Sequence, residues 1–126
     1  MRKPLLFLLA QLALLGAVAS EPVDIDADLM RGIDDTAKSL DSNVAQKDAK
    51  TASAEARELV ETFARIEAHY ATKPDKADAV NFAHRTQTLA AQALQAIEAR
   101  DFDAAGEAVN QLTRSCKSCH DVYKKD

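Results

Sequence analysis

Residues 102–123 read FDAAGEAVNQLTRSCKSCHDVY. Phe102, Ala105, Val109, Leu112, Cys116, Cys119 and Tyr123 recur at steps of three and four, the spacing of one face of an α-helix. Asp101 and Asp103 are both suitable N-caps. The stretch predicts a helix that starts at one of them and carries both cysteines of the chain on its apolar seam.

Working back along the chain, three more segments show the same period. Met30, Ile33, Ala37, Leu40 and Val44 mark a helix from about Asp24 to Ala45. Ala56, Leu59, Phe63, Ile66 and Tyr70 mark one from about Lys50 to Ala71. Val80, Ala83, Gln87, Ala90, Leu94 and Ile97 mark one from about Ala77 to Ala99. Lys73-Pro74-Asp75-Lys76 separates the second from the third, because Pro74 disfavours helix at Lys73. Nothing alternates with period two over strand length. The expected class is all-α, an antiparallel four-helix bundle with short connections.

The first 19 residues stand apart. Arg2 and Lys3 precede an apolar run, Leu5 to Leu15, broken only by Gln11, and Ala17-Val18-Ala19 supplies small residues for cleavage. This reads as a secretory signal peptide over residues 1–19, leaving residues 20–126 as one domain. The run is too short to span a bilayer, and no other apolar run approaches the ~20 residues needed. Insertion in a membrane is therefore not expected.

Residues 20–126 carry 14 basic and 20 acidic side chains, a net charge of −6 with histidine neutral. That balance argues against a nucleic-acid partner. Of 45 apolar residues in this region, 21 are alanine and none is tryptophan. Alanine favours helix, but so many small side chains make a thin core for a domain of this size. Something else has to fill the interior.

Cys116-Lys117-Ser118-Cys119-His120 is the motif that carries chemistry. A structural zinc site needs four ligands, and the chain has no second cysteine pair. A thioredoxin-like pair belongs in a βαβ unit, and no strand is expected. Cys-x-x-Cys-His most often marks covalent haem attachment. On a helix Cys116 lies at i,i+3 from Cys119 and i,i+4 from His120, so the three sit on neighbouring parts of one face. Two thioethers from Cys116 and Cys119 and an iron bond from His120 suit that geometry. Export agrees, since c-type haem is attached outside the cytoplasm in bacteria. A Cys116–Cys119 disulfide in a haem-free bundle is the competing reading. Haem would also be the missing core filler. No catalytic acid, base, nucleophile or phosphate loop stands out, so no enzymatic activity is expected.

With these features together, the chain resembles the class II c-type cytochromes, the cytochrome c prime superfamily. These are four-helix bundles whose attachment motif lies near the C-terminus. The resemblance covers essentially residues 20–126, with Asp121-Val122-Tyr123-Lys124 following the motif. It implies one covalent haem c, a periplasmic location and transient contacts with redox partner proteins. It also leaves room for a homodimer, because several members pair through their first two helices.

Leu29-Met30-Arg31-Gly32-Ile33 is similar to the first helix of the low-spin His/Met members. His120 and Tyr123 repeat the His-x-x-Tyr spacing of the periplasmic four-helix b-type cytochrome. Met30 is the sole methionine after Met1. The resemblance therefore implies Met30 as the second axial ligand opposite His120, and a one-electron carrier. High-spin members leave that position open and bind nitric oxide or carbon monoxide, and there Met30 would only pack over the haem face. Gly32 admits two readings, a close approach of haem or a tolerated helical glycine. His69 and His84 are expected to be surface residues, not iron ligands. Arg114, Lys117, Lys124 and Lys125 outnumber Asp121 and Asp126 at the C-terminal end. Cations there complement the helix dipole.

Overall fold

The computed structural model describes residues 20–123. The expected signal segment, residues 1–19, and Lys124–Asp126 lie outside them, as does the Tyr123 side chain. Four helices follow one another: α1 (Ala27–Ala45), α2 (Ala49–Ala71), α3 (Ala77–Glu98) and α4 (Phe102–Tyr123). Successive helices pack side by side and α1 closes the ring against α4, which gives the expected antiparallel bundle.

The helix ends have local causes. Asp26 accepts a hydrogen bond from the Leu29 amide at 2.8 Å and so starts α1 two to three residues later than the seam suggested. Residues 21–26 form no helix and run as an irregular strap, with Val23 and Ile25 laid against the core. The Arg65 side chain donates to the Glu21 carbonyl at 3.4 Å and ties this strap to α2.

The α1–α2 and α3–α4 turns share one design. Lys47 and Arg100 each adopt a left-handed conformation, with φ of 59° and 60°. The amides of Lys47 and Asp48 bond Val44 and Asn43 carbonyls, and those of Arg100 and Asp101 bond Ile97 and Ala96 carbonyls. This double pattern satisfies the last carbonyls of α1 and α3. Asp48 then caps α2 through the Thr51 amide, and Asp101 caps α4 through the Ala104 amide. Of the two expected caps for α4, Asp101 is the one used.

Burial is uneven along the bundle. Leu40, Ala52, Ala56, Ala90, Ala93, Ile97, Ala105 and Leu112 are fully excluded from solvent. All lie in the half nearest these two turns; Ala79, in the first turn of α3, is equally buried at the other end. There the alanines let the backbones approach, so small side chains still fill the space. In the other half the seams do not close. Met30, Ala37, Tyr70, Cys116 and Cys119 are only half-buried.

The buried face of α3 differs from the expected seam. Ala83, Ala90 and Ile97 are buried as read, but Val80, Gln87 and Leu94 are only partly so. Ala79, Thr86, Leu89 and Ala93 take their place. The reason is that α3 packs closely against both α2 and α4, so its covered face is wider than a single stripe.

Candidate functional site

At the open half, the four helices enclose a cavity of about 720 Å³. Met30, Ile33, Asp34 and Ala37 of α1 form one wall. Phe63, Ile66 and Tyr70 come from α2, and Ala79, Phe82, Ala83 and Thr86 from α3. Thr113, Cys116, Cys119 and His120 of α4 form the wall that adjoins α1, and Ile25 and Asp26 of the strap border the cavity. The cavity exists because α1 packs less extensively on its neighbours than α3 does.

All four residues singled out for the site, Met30, Cys116, Cys119 and His120, line this one cavity. They come from the first and last helices, 90 positions apart at the extreme. His69 and His84 do not line it. His84 is exposed, with Nδ1 3.2 Å from a Glu67 carboxylate oxygen. His69 stacks edge-on against Tyr70, ring centroids 5.2 Å apart. Gly32 is exposed and a Cβ built there meets nothing within 4 Å. The structure thus gives the glycine no close neighbour to accommodate.

Both thiols are free. Burial pushes the Cys116 thiol up to about 11, with the neighbouring Cys119 and Asp34 adding to the shift. Burial also raises Cys119. The folded pocket therefore holds two protonated, weakly nucleophilic sulfurs, not a reactive thiolate pair. His120 is exposed at the cavity edge.

Phe82, Thr86 and the Phe63–Ile66 pair were not recognised from sequence as site residues. Phe63 and Ile66 looked like ordinary core positions on a seam, and their lining role follows from the way α1 stands off. Thr86 is buried and polar, and its period is broken by flanking Gln87 and Thr88, so no pattern marked it.

The donor set fits a haem. Among the described residues, no three His, Cys, Asp or Glu side chains gather as they would around a small metal ion. Instead the sulfurs and the imidazole of α4 sit on one wall of a largely apolar cavity, with the Met30 thioether on another. That distribution suits a flat, bulky, apolar macrocycle held from its edge and face.

Fold and donor set together define a haem-binding four-helix cytochrome with the Cys116–His120 segment on its last helix. The sequence model of the family described as Cytochrome C' matches residues 21–124, and the chain belongs to that family. Comparison with curated proteins and with solved structures returns no match. No helix among the described residues is long and apolar enough to cross a membrane.

Proposed function

We propose that residues 20–126 form an exported periplasmic one-electron carrier, with residues 1–19 directing export. Cys116 and Cys119 would tether one haem c by thioether bonds, and His120 and Met30 would be its two axial ligands. The observation that carries this reading is that α1 and α4 direct the sole methionine after Met1 and the motif histidine to a single cavity. Haem so held supplies a one-electron couple, and Met/His ligation raises its potential relative to other ligand sets.

The protein's own residues serve that couple in plain ways. Phe63, Ile66, Phe82 and Ile33 give the cavity apolar walls against which the haem would pack. The packed half of the bundle holds the helices at fixed spacing, so both ligands stay in place in either oxidation state. No substrate site or catalytic group is required. Contacts with a redox partner would be small and transient. The net charge of −6 favours a basic partner, whose association weakens with salt.

The family match favours a second reading, a five-coordinate haem that binds nitric oxide or carbon monoxide beneath a non-ligating Met30. Visible spectra of the oxidised and reduced holoprotein separate the two. The carrier predicts a low-spin spectrum with the oxidised methionine–iron charge-transfer band, and Met30→Ala converts it to high-spin with a lower potential. A high-spin wild-type spectrum that shifts with carbon monoxide, unchanged in spin state by Met30→Ala, sinks the carrier reading.

A further inference from the structure

Thr86 and Ser115 are the two buried polar residues among those described, 2% and 4% exposed, and their hydroxyl oxygens lie 2.7 Å apart. The proton count is fixed. Thr86 donates its hydroxyl to the Phe82 carbonyl at 2.8 Å, so Ser115 donates to Thr86. Other hydroxyls of these helices stay on their own helix: Thr88 bonds the His84 carbonyl, Thr113 that of Val109 and Ser118 that of Arg114. Ser115 reaches across to α3.

Its position gives the bond a consequence. C-terminal to Leu112, Ser115 is the one residue of α4 among those described that is buried; Cys116 and Cys119 are half-buried and the others exposed. Nearer the turn, the buried residues of α4 are apolar: Ala105, Ala108, Val109 and Leu112. Apolar burial of this kind is non-directional, and fixing register is the best-attested use of a buried polar group. Each residue of helix turns the next side chain by about 100°. A small rotation of α4 therefore swings Cys116 and His120 away from the cavity.

We propose that the Thr86–Ser115 pair is a positioning element. It sets the rotation of the site half of α4 and so the aim of Cys116, Cys119 and His120. The proposal rests on haem attachment at α4 and is independent of the sixth ligand.

The test uses ferric holoprotein and the number of haem-methyl proton resonance sets, which report the orientation of the axial histidine in either spin state. Wild type is expected to show one set. Thr86→Val with Ser115→Ala removes both hydroxyls together and strands neither. It should show a second set, with amide exchange over residues 113–122 faster by roughly fivefold, the factor one net hydrogen bond is worth. Exchange at residues 105–112 should not change. Thr86→Ser keeps the hydroxyl and should retain one set. Wild-type resonances and exchange in the double variant overturn the proposal, as does Thr86→Ser splitting the resonances as fully as the double variant. If the double variant does not load haem, Ser115→Ala alone is read against the same criteria. A colourless wild-type protein overturns the haem reading itself, and a high-spin one overturns only the Met30 assignment.

Discussion

The cavity makes a strong prediction about the chain without haem. An empty pocket of about 720 Å³ leaves its apolar walls without partner atoms, and an unfilled volume costs up to about 24 cal/mol per Å³ where it is sealed from solvent. This pocket is partly open, so water enters and the cost is smaller, but a domain has only about 5–15 kcal/mol of stability in total. The open half is therefore expected to loosen the packing of Phe63, Ile66, Phe82 and Met30. The half around Leu40, Ile97 and Leu112 loses nothing, since those side chains are already excluded from solvent by protein alone. Expressed without haem-attachment machinery and kept reduced, the chain should stay helical by circular dichroism while amide exchange divides it in two. Residues 40–59 and 89–112 should remain protected. Residues 27–37, 63–86 and 113–122 should exchange quickly, the behaviour of a molten globule confined to one end. Cys116 gives an independent reading. In the closed structure its thiol is raised to about 11, so alkylation at pH 8 would run on the order of a hundredfold slower than at an ordinary cysteine. Opening of the site half predicts an ordinary rate. Uniform protection along all four helices together with slow alkylation of Cys116 would refute the reasoning.

Three further outcomes are expected. Gly32→Ala, at an exposed helical position with free space around the new methyl, should raise stability by about 1 kcal/mol and leave the visible spectrum alone; a changed spectrum would restore a role for this glycine at the haem. Ile97→Ala, fully buried in the packed half, should cost about 2–5 kcal/mol in urea denaturation with no change in axial ligation. The Thr51 hydroxyl and amide hold the Asp48 carboxyl below its ordinary range. Its contribution to stability is therefore present above that range and lost as pH falls through the lowered folded value. Asp48→Asn should keep the cap and flatten this acid limb, which an acid titration of unfolding checks.

Much of this architecture is legible in the sequence. Four helical periods stand out in the alanine-rich stretches, and the spacing of Cys116, Cys119 and His120 places them on neighbouring parts of one helix face. What escaped the sequence was relational. The width of the α3 face depends on its having two close neighbours, so Ala79, Leu89 and Ala93 could not be ranked above Val80 and Leu94. The N-terminal strap stands where a first helical turn was expected because Asp26 is the cap, and the apolar seam, which starts at Met30, does not mark it. The cavity is the space that α1 leaves by standing off, which no residue spells out. Thr86 and Ser115 are informative only as a pair, and 29 positions separate them.

The even number of helices places residues 20–27 and the end of α4 at the same pole as the cavity, with both tight turns at the other. An affinity tag or a fused enzyme at either terminus would thus be tethered within reach of the haem edge, where a short flexible linker gives an effective concentration in the millimolar range. The same layout argues for placing surface-attachment handles in the Lys47 or Arg100 turn. An electrode or bead anchored there would leave the cavity-bearing end turned outward.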